Sequence, residues 1–194
     1  KNEQFQQFVR EVTEIALDTG DNVDALLAAT HPAGATVKDA LTGHIATIGE
    51  NMNIRRAAVL TVEPGVVVSY VHNAAKDGLG KIGVLIGLQS TAPADQLATL
   101  GKQLAMHVAA ANPLALDENG IDPEVVERER AIAREKAAGS GKPAEIIEKM
   151  IDGGVRKFVS ESTLLGQVFV IDGKTKVADV LAKVLHYTWQ VLIV

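Results

Sequence analysis

Two glycine-rich runs come closest to recognisable chemistry in this chain. Gly78-Leu79-Gly80-Lys81-Ile82-Gly83 has the GxGxxG spacing of a dinucleotide site. In such a site the glycines leave a strand and open a helix, whose N-terminal amides hold the pyrophosphate. Here Val84-Leu85-Ile86-Gly87-Leu88 follows, a run that favours a strand, and no long parallel α/β unit surrounds it. The run is therefore expected to be a flexible hairpin loop, and an enzyme reading would require a ligand there. Gly139-Ser140-Gly141-Lys142 ends like a phosphate-binding loop, but Pro143 stands where Ser or Thr would reach magnesium and Lys136 where a glycine is needed. A turn between helices fits it better.

The histidines are His31, His44, His72, His107 and His186, and none has the HxxxH or HExxH spacing that puts two imidazoles on one helix face toward a metal. His44 and His107 sit among apolar neighbours at helical spacing and read as packed, hydrogen-bonded side chains. His72 ends a strand where the chain enters a polar loop, so it is a contact candidate. No Ser-His-Asp arrangement, nucleophile elbow or carboxylate pair is legible. Glu124 with Arg128, and Glu127 with Arg130, have the spacing of solvated helix pairs. The segment Asn51-Met52-Asn53-Ile54-Arg55-Arg56 is the least ordinary: composition reads it as a helix-to-strand connection with one Arg paired to a carboxylate, the two Arg falling on opposite faces if the strand has already begun there.

Around these positions the hydrophobic pattern marks out the elements. Apolar residues recur at helical spacing from Asn2 to Asp18, with Gly20 as the stop. A short apolar piece, Asp24–Ala29, precedes a loop at Thr30–Gly34, and Thr36 caps a helix over Val37–Ile48. Ile54–Val62 is rich in β-branched residues and predicts a strand, Pro64-Gly65 a turn, and Val66–Val71 with Ile82–Leu88 a hairpin across the polar loop Asn73–Gly80. Ala94–Ala111 is a helix ending before Asn112-Pro113. Asp122-Pro123 opens a charged helix, Glu124–Ala138, and Pro143 opens another reaching about Gly153. Joined by the Gly139-Ser140-Gly141 turn, the two read as an antiparallel helical hairpin, too poor in apolar residues to be core and expected to project. Val168–Ile171 reads as a strand, Asp172-Gly173-Lys174 as a turn, Val177–Leu185 as a short helix, and Tyr187–Val194 as an edge-like strand that must pair within a sheet.

Composition bounds the function. With 47% apolar and 22% charged residues in 194, the chain can build one core or two small ones. A net charge of −5 and only 4% aromatic residues count against direct nucleic-acid binding, which needs clustered cations or stacking platforms. The absence of cysteine removes disulfides, thiolate nucleophiles and sulfur-ligated metals. No apolar run approaches the roughly 20 residues of a membrane span. A cytoplasmic location is expected, with no membrane association. The start at Lys1-Asn2-Glu3 has no Met and no signal-peptide core and already reads as a helix entry, so the chain is expected to be a fragment.

Several segments, in order, carry a resemblance. Ile48 to Arg56 resembles the IGENxxxRR signature of translation elongation factor Ts. Tyr70-Val71-His72, Lys81–Leu85, Leu104–Ala110, Ser140–Pro143 with Ile147–Met150, and Leu164–Val170 are similar to further segments of the same family. The likeness covers Lys1 to about Leu185.

The resemblance implies an α+β fold: two α/β subdomains with antiparallel sheets covered by helices, plus a protruding helical hairpin of coiled-coil type. The expected division is 1–64 for the first subdomain, 65–121 with 159–194 for the second, and 122–158 for the hairpin. It also implies a guanine nucleotide exchange factor for the GTPase elongation factor Tu, without cofactor, metal or covalent catalysis. The implied partner contacts are Ile48, Gly49, Asn51, Asn53, Arg55 and His72, with Ile48 and Gly49 on the GTPase domain and His72 on the last β-barrel domain. In the family a Thr-Asp-Phe-Val segment inserts beside the GTPase's magnesium site, and it stands just before the residues matching Lys1-Asn2-Glu3. A small N-terminal helical domain of the family, and strands that complete its first subdomain, also lie upstream of that match. The tail Leu185–Val194 departs from the family's Gly-Phe-x-Arg-Phe wording. The expectation is a chain that binds elongation factor Tu yet exchanges nucleotide poorly. The alternative, from another class, is a structural self-association domain in which sheet edges pair two copies as a homodimer.

Overall fold

The computed structural model describes residues 2–184 and 190–193. The fold is α+β, and the chain divides into two compact units, Lys1–Leu60 and Thr61–Val194.

In the first unit, helix starts are set by side chains that replace missing backbone partners. Asn2 Oδ1 accepts the Phe5 amide at 3.2 Å to open α1 (Glu3–Thr19), and Asn22 Oδ1 accepts that of Ala25 at 2.9 Å to open α2 (Val23–Ala28). At α3 (Val37–Ile48) Thr36 and Asp39 form a reciprocal capping box. The hydrogen bonds from Thr36 hold the Asp39 carboxyl below the usual carboxylate range. The three helices bury Phe8, Val12, Leu26, Val37 and Leu41 around one small core.

The strand expected at residues 54–62 does not form. β-branched residues favour an extended chain, but a strand exists only where a neighbour takes its amides and carbonyls. Residues 54–62 have no such ladder among the described residues.

The second unit is built on a three-stranded antiparallel sheet in the order β1 (Gly65–His72), β2 (Ile82–Gln89), β3 (Gln190–Ile193). β1 and β2 form the expected long-looped hairpin, with Val66 opposite Leu88, Val68 opposite Ile86 and Tyr70 opposite Val84. The predicted tail strand pairs with β2 over Gln190–Ile193, while residues 185–189, which include His186, lie outside the described ones. Helices α4 (Ala94–Ala111) and α7 (Val177–Val184) help bury the core: Val84, Ile86 and Leu88 meet Leu97, Leu100, Leu104, Leu164, Phe169, Val177 and Leu181. Each fully buried aliphatic side chain contributes about 1.5–3 kcal/mol.

Helices α5 (Pro123–Ala138) and α6 (Ala144–Ser162) form the hairpin and pack chiefly against each other. Helix α6 continues past Gly153, where the sequence suggested an end. Ile151 and Val155 are buried on either side, and Gly154 lies close to Ala133, so a glycine pair that weakens an isolated helix is carried by packing. Arg130 donates to Asp152 at 2.8 Å across the pair.

Val168–Ile171 is not a strand either. Only Phe169 is buried, its amide donates to the Thr175 carbonyl at 2.8 Å, and Gly173 donates back to the Phe169 carbonyl at 2.8 Å. The chain reverses before a ladder can start, and Asp172, with its carboxyl pulled down to about 2 by bonds from Thr175 and the Lys174 amide, closes the turn.

His107 ties this turn to α4. Its Nδ1 accepts the Val170 amide at 3.2 Å, so the ring proton sits on Nε2 and is donated to Gln167 Oε1 at 2.9 Å. Gln167 in turn donates to the carbonyls of Ala111 and Glu161. Burial pushes the His107 pKa down, and the Gln167 hydrogen bond opposes that shift. In the unfolded chain the imidazole titrates near the ordinary value of about 6.5, so below that pH the unfolded state takes up a proton that the folded state resists. Stability is therefore complete above about pH 6.5 and falls as the pH drops. Urea midpoints measured between about pH 7.5 and pH 5.5 should decline, and His107→Gln should flatten that slope while lowering stability throughout. Gly101 is the point where α4 crosses the sheet: a Cβ there would lie 2.7 Å from Val68 Cγ2. Gly101→Leu should cost about 1–3 kcal/mol in the same measurement.

Candidate partner-binding surfaces

The segment after α3 acquires its geometry from a helix stop and two anchors. Gly49 has a φ of 79°, in the left-handed region, and its amide donates to the Ile45 carbonyl at 2.9 Å. Nothing lies within 4 Å of a Cβ placed there, so backbone conformation and not space demands glycine. Beyond it Met52 and Ile54 pack against the core of the first unit, which holds the extended chain down at alternate residues. Asn51, Asn53 and Arg55 fall between and beyond those anchors and are exposed, whereas Ile48 is half-buried at the end of α3.

This resolves the odd composition of the segment: apolar residues fasten it and polar ones face outward, the alternation of a strand without the ladder. Arg55 and Arg56 are both exposed, and neither reaches a carboxylate among the described residues. The expectation that one of them pairs with a carboxylate is corrected.

His72 belongs to the second unit. It ends β1 half-buried, and its Nδ1 lies 3.0 Å from the Tyr70 hydroxyl on the same strand face. Tyr70 packs against the core, so the phenol positions the imidazole, and Nε2 makes no hydrogen bond among the described residues. Gly49, Asn51, Asn53 and Arg55 are thus exposed and Ile48 half-buried in the first unit, while His72 lies in the second.

The other candidates resolve as local structure. His44 is half-buried with its ring 4.7 Å from that of Phe8, and His107 is the buried clamp described above. In the Gly78–Gly83 run, Gly78 has a φ of 69° in the hairpin loop, and Gly83 lies inside β2, so no helix follows to present amides to a phosphate. Gly139-Ser140-Gly141 turns the helical hairpin. Among the described residues no three His, Asp or Glu side chains gather as metal ligands, and no helix is long and apolar enough to cross a membrane. Sequence reading passed over His31, which is 4% exposed; a histidine flanked by Thr30 and Pro32 carries no periodic signal of burial.

Comparison with known proteins gives one family. The model of the family described as Elongation factor TS matches residues 1–192. Elongation factor Ts of Zymomonas mobilis is 61% identical over 183 residues, which cover 94% of this chain and 60% of that protein. The protein of the same name from Sphingopyxis alaskensis is 63% identical over 183 residues, covering 94% and 59%. That of Rhizorhabdus wittichii is 62% identical over 182 residues, with the same two shares. The chain spans about three fifths of the length of these curated relatives.

Two glycines of α3 and its end test the geometry of the first unit. Both have open space around a built Cβ, but only Gly49 has a positive φ. Gly49→Ala should lower the melting midpoint by the cost of a left-handed alanine, about 1–2 kcal/mol. Gly43→Ala, inside the helix, should raise it by up to about 1 kcal/mol.

Proposed function

The chain belongs to the elongation factor Ts family, and on that premise we propose that it binds elongation factor Tu and acts as a guanine nucleotide exchange factor, promoting loss of GDP. It does so as a binding surface in the cytoplasm and makes or breaks no covalent bond. Ile48, Gly49, Asn51, Asn53 and Arg55 form one contact and His72 another.

The physical requirement is differential affinity. A surface that holds the empty GTPase more tightly than the GDP-bound one shifts the equilibrium toward release, and by linkage GDP weakens the surface's grip by the same factor. Equal affinity for both states would shift nothing, however tight the binding.

The family match across residues 1–192 carries this reading. The geometry supports it: Asn51, Asn53 and Arg55 are exposed hydrogen-bonding groups on a backbone fixed by Met52 and Ile54, so little conformational freedom is left to lose on docking. His72 is likewise oriented beforehand by Tyr70. The organisation that accompanies the reading is a first subdomain at 1–64, a second at 65–121 and 159–194, and the hairpin at 122–158.

Self-association is the second reading, favoured by one observation: β1 is an outer strand of the sheet and bears Val67 with 43% exposure. Titration calorimetry separates the two. Adding nucleotide-free elongation factor Tu should give a complex whose affinity drops about tenfold or more with saturating GDP, within the usual range of coupling energies. Arg55→Ala should weaken it further. No complex, or an affinity indifferent to GDP, would overturn the exchange reading, and dimerisation of the chain alone would favour the second.

A further inference from the structure

Little holds the turn at residues 168–173 to the rest of the second unit. Val168, Val170 and Ile171 are exposed, and only Phe169 is buried. The hydrogen bonds of the turn are chiefly its own: the Phe169 amide donates to the Thr175 carbonyl, that of Gly173 to the Phe169 carbonyl, and Asp172 Oδ1 accepts the amides of Lys174 and Thr175. Among the described residues one hydrogen bond ties it to α4, from the Val170 amide to His107 Nδ1 at 3.2 Å.

That bond lasts only while Nδ1 is bare. Imidazolium carries a proton on each nitrogen, so a charged His107 sets N–H against N–H at Val170 and the acceptor is gone. Nothing is lost on the other side of the ring, where Nε2 keeps its proton and still donates to Gln167 Oε1, now with the help of the charge. Gln167 stays tied to the carbonyls of Ala111 and Glu161. Protonation therefore frees one end of the clamp and tightens the other.

The Phe169 ring lies 5.8 Å from the imidazole, so its departure admits water to a ring that burial otherwise keeps neutral. Burial and Gln167 are what act on that ring; Lys102 on α4, Glu161 on α6, Asp172, Lys174 and Lys176 around the turn and Asp179 on α7 are all exposed. Asp172, with its carboxyl held at about 2, stays ionised through the range in which imidazole titrates, so the turn keeps its own shape.

We propose that residues 168–173 form an acid-released flap, which swings away from α4 on Gln167 when His107 takes a proton, while the remainder of the second unit stays folded. The open form lays Phe169 bare beside Val168, Val170 and Ile171, four apolar residues in succession. At neutral pH it is a minor state, because Phe169 gives up its burial. It gains on the closed form as the pH falls below about 6.5, since the hydrated ring binds the proton more tightly than the buried one. Global unfolding carries the same proton linkage but exposes the whole core, and exposed area is what a denaturant senses.

Amide exchange of the whole chain, followed by NMR and expressed as protection factors, separates the two openings. From about pH 7 to about pH 5, protection at Val170 should fall by up to about tenfold per pH unit. Low urea should leave that protection unchanged and steadily erode that of the slowest β2 amides, because the flap uncovers little surface. His107→Gln should make protection at Val170 independent of pH. Should that variant fail to fold, the ring nitrogens of the parent carry the test: NMR should find Nδ1 bare and Nε2 protonated at about pH 7.5, and the reverse tautomer overturns the flap. Protection at Val170 that is flat in pH overturns it, and so does protection that falls with urea as steeply as that of β2.

Discussion

The approach of α4 to the sheet at Gly101 is the constraint from which the second unit follows. With no side chain there, the helix settles against Val68 and Leu88, and Leu97, Leu100 and Leu104 reach the apolar faces of β1 and β2. That depth also decides the fate of His107, which is carried below the surface and must find its hydrogen bonds inside. It finds them in the 167–170 turn, so a helix-to-sheet distance set by one missing methyl group dictates how a segment far along the chain folds back. Buried polar groups satisfied this completely specify one arrangement and no other.

The helices were readable because their signals are local. Asn2, Asn22 and the Thr36–Asp39 pair cap their own helices within three residues, and Gly20 and Gly49 stop theirs by conformation. The β1–β2 hairpin was readable from two apolar runs about a polar loop. The misread elements at 54–62 and 168–171 have the same cause: extended preference is local, but a ladder partner is not. Glycines 153 and 154 misled for a related reason, since Ala133, which lets the helix continue, is brought near only by the folded hairpin.

Of the surface, Asn51, Asn53 and Arg55 stood out only through the resemblance of residues 48–56 to a family signature, and their exposure accompanies the packing of Met52 and Ile54 on the core. His31 could not be found, because its burial depends on α1 and α3 closing over a loop. The segment after α3 therefore offers exposed hydrogen-bonding groups on a backbone held at Met52 and Ile54.

The helical hairpin enters and leaves the second unit at adjacent points. The Leu114 amide donates to the Ser162 carbonyl, the Leu164 amide to that of Ala115, and Ala115 bridges Thr163 in parallel. Both arms therefore share one pivot, and the 16 residues of α5 make a lever about 24 Å long. Whole helical turns can be added to or removed from such a lever while its root stays the same. The arm's reach is thus free to vary between relatives without any change in the core that supports it.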